Sequence, residues 1–201
     1  YGMIVGKVAF LLDLFLHNEV LSIRLTNLFQ VSFGLLNIYF IYKISGFIFK
    51  EKLPRVFAVL LLTNIQMFSY LINYLSYDNL ANLLSTMSIY WFFKYIQKKN
   101  TKDLFVFLII VCLGVLAKYT TAVLFVLLGL VLLYIKRKEL KQLFNEIYSF
   151  VKDKKNIFIT IITFFVLSIT FFYYAKNYAT FNTVLPSTSK GNQYCQSLNE
   201  G

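Results

Sequence analysis

The chain has 201 residues, of which 58% are hydrophobic, 19% aromatic and only 14% charged. Soluble globular domains average about 45–50% apolar and about 25% charged residues, so this composition excludes an ordinary soluble domain and indicates an integral membrane protein. The formal net charge of +11 is also typical of nucleic-acid-binding proteins, so the positions of the basic residues along the chain decide what that charge means.

The first segment, residues 1–17, is apolar but carries Lys7 and Asp13, and it is barely long enough to cross a membrane. Its apolar residues recur at helical spacing with the charges elsewhere. This pattern is typical of an amphipathic helix that lies in the membrane interface. Because the chain begins and ends in the middle of its pattern, we expect a fragment of a longer protein.

Six apolar stretches follow, and each is predicted to be a membrane-spanning helix. They are residues 25–43, 56–75, 79–95, 104–117, 119–135 and 157–175. The sequence therefore predicts an all-α fold, a polytopic transmembrane helical bundle of about six spans with interfacial amphipathic helices. Residues 1–175 would form this membrane domain.

The apolar run from residue 104 to residue 135 contains 32 residues and a single charge, Lys118, near its middle. One span takes about 20 residues, roughly 17–25, so the run is too long for one span and just long enough for two short ones. A lysine at the centre of the bilayer would also cost roughly 2.5–3.5 kcal/mol on insertion scales. We therefore expect a tight turn at Ala117–Thr121 that places Lys118 at a membrane surface.

Fifteen of the twenty Lys and Arg residues fall in three predicted loops, 43–55, 94–102 and 136–155, which follow alternate spans. Loops rich in Lys and Arg face the cytoplasm, so this alternation predicts an orientation for the whole bundle. The basic segment 136–156 also has apolar residues at helical spacing and is predicted to lie along the cytoplasmic membrane surface. The positive charge is therefore topogenic, and nucleic acid is not an expected partner.

The opposite ends of the spans should meet at the extracytoplasmic face, where residues 176–201 would form a loop or the start of a further C-terminal part. One carboxylate, Asp78, and two cations, Arg24 and Lys118, collect there. Asp78 would serve either as a helix cap or as a cavity carboxylate that orients a substrate hydroxyl. The cations would either anchor their helices at the interface or bind a phosphate-bearing head group.

The sequence carries no GxSxG, P-loop or dinucleotide fingerprint. His17 is the only histidine, and without His or Cys companions at ligand spacing it predicts no metal site. Two non-enzymatic classes stay open at this point. A transporter or flippase for a lipid-linked or anionic substrate would need polar residues at mid-bilayer depth and repeat symmetry. A membrane scaffold would need its charges only as anchors.

Three segments carry a resemblance to a known family. They are a span opened by an arginine after the interfacial helix (IRLTNLFQVSFG), an outer loop with an aspartate at the next span (LSYDNLANLL), and the turn between two spans (LGVLAKYTTAVLFVLLGL). In this order they resemble the membrane glycosyltransferases of the GT-C type, which include the protein O-mannosyltransferases and the aminoarabinose transferase of lipid A. The resemblance covers roughly residues 1–175.

The resemblance implies transfer of a sugar from a polyprenyl- or dolichyl-phosphate-linked donor to an acceptor hydroxyl at the extracytoplasmic or lumenal membrane face. Asp78 is similar to the second carboxylate of such sites. Lys118, with its neighbour Tyr119, and Arg24 are similar to residues that would contact the donor phosphate. The family's main base lies in the first outer loop, which here would precede residue 1, and Asp13 is a poor substitute for it.

The implied partners are membrane lipid, the lipid-linked sugar donor and a glycan, lipid or protein acceptor. No cofactor is expected apart from the donor substrate, and a divalent metal is left open. We expect a multi-pass protein of the bacterial cell membrane rather than of the endoplasmic reticulum. The abundance of Ile, Asn, Lys, Phe and Tyr, which is associated with AT-rich bacterial genomes, favours that location.

Overall fold

The computed structural model describes residues 19–65 and 77–183, and this part of the chain contains helices and turns but no strand. The predicted all-α fold class is therefore confirmed. Its α-helices are α1 Glu19–Ile48, α2 Lys52–Thr63, α3 Tyr77–Lys98, α4 Thr101–Ala117, α5 Thr121–Lys136, α6 Leu140–Lys152 and α7 Ile157–Phe181. A short 3-10 turn, Lys154–Asn156, joins α6 to α7.

The helix ends differ from the limits of the predicted spans. α1 extends beyond residues 25–43 at both ends, and α7 continues to Phe181, so the first part of the predicted outer tail is helical. Asn182 then ends α7 with a left-handed φ of 51°, a conformation that asparagine tolerates better than most residues.

α2 ends at Thr63, twelve residues before the predicted span 56–75 would end. The Asn64 side chain contributes to this helix end, because its Nδ2 donates to the Leu60 carbonyl at 2.7 Å. The rest of that predicted span, the interfacial segment 1–17 and the tail from residue 184 lie outside the described residues.

Among the described helices, two are long and apolar enough to cross a membrane, Arg24–Ile48 with 25 residues and Lys154–Phe181 with 28. Only 17% and 11% of their apolar windows are buried within the protein, whereas the core helix of a soluble protein is mostly buried. This exposed apolar surface indicates contact with lipid. α5 is apolar but shorter than these two helices. Whether the other predicted spans cross the membrane stays a prediction.

An antiparallel hairpin of α3 and α4 forms the centre of the structure. Its loop consists of two residues, Lys99 and Asn100. The Asn100 side chain caps α4 by accepting a hydrogen bond from the Lys102 amide at 3.0 Å. α1 packs against α3, and α7 packs against α4. Near the loop, Phe92, Tyr95, Leu104, Phe107 and Leu143 form a buried apolar cluster. Leu143 belongs to α6, so the amphipathic basic segment is attached to the bundle by its apolar face.

One face of α1 carries buried polar residues where it packs against α3. Thr26 and Gln30 are each 1% exposed, and Asn37 is 6% exposed. Their spacing of four and then seven residues places all three side chains on one side of the helix. Phe40, near the same side, lies 5.4 Å from Tyr90 of α3 between ring centroids. Polar side chains thus contribute to the α1–α3 contact, as is common between helices in membranes.

Candidate functional site

Asp78 and Lys118, forty residues apart in sequence, form an ion pair. Nζ of Lys118 donates a hydrogen bond to Oδ1 of Asp78. The Asp78 side chain is 27% exposed and the Lys118 side chain 29%, so the pair lies at the surface of the protein. The fold thus brings two of the predicted site residues into direct contact at a place that a ligand can reach.

Asp78 stands in the first turn of α3. A negative charge is favourable there because it faces the positive end of the helix dipole. The local role predicted from the sequence and the ion pair are therefore compatible. The carboxylate stabilises the start of α3 and also fixes the position of an ammonium group.

The turn between α4 and α5 positions Lys118 by its backbone. The Lys118 amide donates to the Gly114 carbonyl at 2.9 Å. The Lys118 carbonyl accepts a hydrogen bond from the Thr121 hydroxyl at 2.6 Å. Residues 118–120 thus form the turn at the position where the sequence predicts it. These two hydrogen bonds fix the main chain of Lys118, while its long side chain can adopt different conformations.

Close packing of α4 on α5 depends on Gly114. A Cβ atom at this position would lie 2.9 Å from Cζ of Phe125, a ring that is itself only 8% exposed. A second contact supports the same region, because the Tyr174 hydroxyl of α7 donates to the Val115 carbonyl at 2.8 Å. Lys118 therefore projects from a turn whose base is held by three helices.

A buried polar contact lies beside the Asp78–Lys118 pair. Nδ2 of Asn79 donates to Oε1 of Gln30 at 3.2 Å, and Asn79 is 5% exposed. The sequence analysis did not identify Gln30 and Thr26, since each is a single polar residue in an apolar helix. Their spacing of four residues, which places them on one face of α1, is the signal that would have identified them.

Arg24 and Tyr119 are more exposed than the ion pair. Arg24 lies in the second turn of α1 and is exposed, and Tyr119 is 53% exposed in the turn after α4. Among the hydrogen bonds and ion pairs of the described residues, none joins Arg24 or Tyr119 to Asp78 or Lys118. The structure thus pairs Lys118 with a carboxylate, and a shared role of Lys118 and Arg24 stays a prediction. Asp13 lies outside the described residues.

A second ion pair lies at the other end of the α3–α4 hairpin. Nζ of Lys94 lies 3.1 Å from Oδ1 of Asp103, whose side chain is only 5% exposed. The same Lys94 ammonium lies 3.7 Å from the centre of the Trp91 ring. The 22 residues of α3 span about 33 Å at about 1.5 Å per residue, so the two pairs are far apart. Because the Asp103 carboxylate is enclosed, the Lys94–Asp103 pair is structural, whereas the Asp78–Lys118 pair is accessible.

Within the described residues, no group of three or more His, Cys, Asp or Glu side chains could hold a metal ion. The chemistry available at the Asp78–Lys118 pair is that of one carboxylate and one ammonium. The carboxylate can accept a hydrogen bond from a hydroxyl, and the ammonium can donate to a phosphate oxygen.

Comparison with known proteins identifies the family. Residues 8–152 match the family described as dolichyl-phosphate-mannose-protein mannosyltransferase. The match covers more than half of the chain and includes both Asp78 and Lys118, so the chain belongs to this family of GT-C-type membrane glycosyltransferases. No curated protein and no solved structure shows significant similarity to the chain. The chain is therefore an integral membrane protein of a transferase family that uses lipid-phosphate-linked sugars.

Proposed function

We propose that this chain binds the donor phosphate and orients the acceptor in a glycosyltransferase. The enzyme would move a sugar from a polyprenyl- or dolichyl-phosphate-linked donor to an acceptor hydroxyl at the extracytoplasmic or lumenal membrane face. The observation that supports this proposal most directly is the accessible Asp78–Lys118 pair at one end of the α3–α4 hairpin. Family membership supplies the reaction class, and the geometry supplies the candidate residues.

In the proposed reaction, the oxygen of an acceptor hydroxyl attacks the anomeric carbon of the donor sugar. A new bond forms between that oxygen and the anomeric carbon, while the bond from the anomeric carbon to the phosphate oxygen breaks. The lipid phosphate leaves with the electron pair, and the hydroxyl proton passes to a carboxylate base. Charge therefore develops on the leaving phosphate, where fixed cationic donors lower the barrier.

Lys118 is the proposed ligand of that phosphate. The turn fixes its backbone through Gly114 and Thr121, while its stem is flexible and its side chain is 29% exposed. An ammonium group has three N–H donors, so a phosphate oxygen can be bound at this position by an exchange of hydrogen-bond partners. Asp78 would keep the ammonium in place until the donor binds.

Asp78 is the proposed positioning carboxylate of the site. It would orient the acceptor hydroxyl or assist the base of the reaction. Arg24, near the start of α1, and Tyr119, beside Lys118, are proposed as additional contacts for the donor phosphate. Packing of α1 on α3 through the Gln30–Asn79 hydrogen bond supports the placement of Arg24 near this end of the hairpin.

The proposed location is the bacterial cell membrane, and its support is the amino-acid composition. The proposed acceptor is a glycan, lipid or protein hydroxyl. Transfer assays with and without a chelator would measure whether the reaction requires a divalent metal.

The test is a transfer assay with the full-length protein in liposomes that contain a radiolabelled polyprenyl-phosphate sugar and an extract of envelope acceptors. Asp78→Asn and Lys118→Met should each lower the rate of transfer by about a hundredfold or more. Asn82→Ala is the matched control, because Asn82 is an exposed polar residue one helical turn after Asp78, and it should leave the rate unchanged. Normal transfer by both site variants, or transfer from a nucleotide sugar alone, would overturn the proposal.

A further inference from the structure

A cationic cleft lies at the end of the bundle opposite the Asp78–Lys118 pair. It has a volume of about 300 Å³ and lies between the end of α1, the start of α2 and the end of α3. Its described lining contains four cations and no carboxylate. The four cations are Lys43, Arg55, Lys94 and Lys98.

Arg55 is held rigidly in this cleft. Its Nε donates to the Phe49 carbonyl at 2.8 Å, and its Nη2 donates to the Lys50 carbonyl at 2.9 Å. The guanidinium also packs on Gly46, where an added Cβ would lie 3.3 Å from Nη1. Within the described residues, these hydrogen bonds use Nε and Nη2 and leave the Nη1 donors for a ligand. A preorganised guanidinium of this kind suits a phosphate group.

The other cations of the cleft differ in how far their charge is compensated. Lys94 is paired with Asp103 at 3.1 Å, so it contributes little net charge. Lys43 and Lys98 are exposed, and Lys43 lies 5.4 Å from the Tyr39 ring centre. Lys43, Arg55 and Lys98 therefore repel one another across the cleft, and a bound anion would remove that repulsion.

Apolar surface beside the cleft indicates the source of the anion. The Phe47 and Tyr90 rings form part of its wall, with centroids 5.6 Å apart. In the same region of the chain, Ile48 is 63% exposed and Leu53 is 79% exposed. A free phosphate would gain nothing from these groups, whereas the glycerol and acyl chains of a lipid would cover them.

We propose that this cleft binds the phosphate head group of an anionic membrane glycerophospholipid. Arg55 is the fixed phosphate ligand, Lys43 and Lys98 are the mobile ones, and the acyl chains lie on the exposed apolar surface of the α1–α2 corner. Basic clefts between membrane helices are suited to such head groups. The site is separate from the proposed sugar-transfer site and does not depend on its chemistry.

The test measures lipid binding by the full-length protein in detergent, by native mass spectrometry and by thermal unfolding with added lipid. Phosphatidylglycerol should bind and raise the unfolding temperature, while phosphatidylcholine and inorganic phosphate should not. The double variant Lys43→Gln/Lys98→Gln should weaken binding of phosphatidylglycerol roughly tenfold to thirtyfold, given the usual contribution of two charges near an anionic head group.

The control is Lys138→Gln/Lys141→Gln, which removes two exposed lysines outside the cleft and should bind as the unchanged protein does. A second variant, Arg55→Lys, keeps the charge but loses the planar guanidinium with its rigidly placed donors, and it should weaken binding as well. Equal loss in the control double variant would show a non-specific surface effect and overturn the proposal. Stabilisation by inorganic phosphate alone would assign the cleft to a free anion and overturn it too.

Discussion

At the scale of single residues, the two ion pairs of the α3–α4 hairpin differ mainly in solvent access. Asp78 and Lys118 are each more than a quarter exposed, whereas the Asp103 side chain is 5% exposed. Exposed ion pairs contribute little to stability because water and salt screen them, while removing one partner of an enclosed pair leaves a charge without compensation. The accessible pair can therefore serve function at little structural cost.

A double-mutant cycle on Asp78→Asn and Lys118→Met should show that this ion pair contributes little to stability and much to activity. The coupling free energy for unfolding should be about 1 kcal/mol or less, because both side chains are partly exposed. The sugar-transfer rate should fall about a hundredfold in each single variant and little further in the double variant, because the two groups act as one unit. Thermal unfolding and transfer assays on the same preparations would check both expectations. A coupling of several kcal/mol would instead indicate a purely structural pair.

Lys94→Met should have the opposite effect: it should lower stability and leave the catalytic rate unchanged. It leaves the enclosed Asp103 carboxylate without its partner, so we expect a loss of about 2–3 kcal/mol in unfolding free energy, somewhat less than for a fully buried pair. The catalytic rate per folded molecule should be unchanged, since Lys94 lies 16 residues after Asp78, about 24 Å from the proposed site along α3. Partial rescue of stability by adding Asp103→Asn would identify the uncompensated carboxylate as the cause.

At the scale of helices, the close approach of α4 to α5 requires a residue without a side chain, Gly114. Gly114→Ala should lower the unfolding free energy by about 1 kcal/mol or more, because displacing the buried Phe125 ring costs more than the gain in helix propensity. Gly129→Ala in α5 is the matched control, since an added Cβ there meets nothing within 4 Å. It should be neutral or stabilising by up to about 1 kcal/mol. Equal effects at the two positions would contradict this account of the packing.

The junction of α5 and α6 should be sensitive to acid. Nζ of Lys136, a residue only 5% exposed, donates to Oε2 of Glu139 at 2.7 Å, and this hydrogen bond holds the pKa of the Glu139 carboxyl below its usual value. A carboxyl with a lowered folded-state pKa adds stability above its unfolded-state pKa of about 4.3, and that contribution is lost as the pH falls through the folded-state value.

Glu139→Gln should therefore lower the unfolding temperature at about pH 7, and the difference from wild type should shrink at acid pH, as the pH falls through the lowered folded-state pKa of Glu139. Glu146→Gln is a suitable comparison, since Glu146 also lies on the basic amphipathic segment but is bonded to Gln142 rather than to Lys136. Equal unfolding temperatures of wild type and Glu139→Gln, at both neutral and acid pH, would exclude a contribution from this contact.

At the scale of the whole molecule, the orientation in the membrane is the prediction on which the proposed reaction depends. Single cysteines at positions 78 and 118, in a full-length protein cleared of Cys112 and Cys195, should react with a membrane-impermeant thiol reagent in intact cells. Cysteines at the exposed positions 98 and 138 should react only after permeabilisation. The reverse pattern would place the Asp78–Lys118 pair in the cytoplasm and contradict the proposed face of transfer.

The sequence predicts the helical class and the turn at Lys118 well, for a physical reason. An apolar run of 32 residues with a central charge cannot be one membrane span, so the chain has to turn there. The ends of α1, α2 and α7 are predicted poorly, because apolar length does not determine where a helix stops. The Asn64 side chain and the left-handed Asn182 mark two of those ends, and a single asparagine in a hydropathy profile does not show which conformation or hydrogen bond it adopts.

The candidate site is predicted only in part. Asp78 and Lys118 were identified one by one from their positions, but whether they contact each other depends on how α3 and α4 align, and no spacing within one segment contains that information. Gln30 was missed for the same reason, since its partner Asn79 lies 49 residues away. Residue types along a helix reveal which face is polar, whereas the pairing partner emerges only from the packing of two helices.

The buried polar face of α1 has a bearing on biosynthesis. α1 is made before α3, and until α3 arrives the Gln30 and Asn37 side chains would face lipid or the insertion machinery without the contacts of the finished bundle. Polar groups in lipid without partners are costly, so we expect α1 to be less stable in the membrane until α3 packs against it. A chain truncated before α3 should therefore be degraded faster in cells than the whole chain, which pulse-chase labelling would measure.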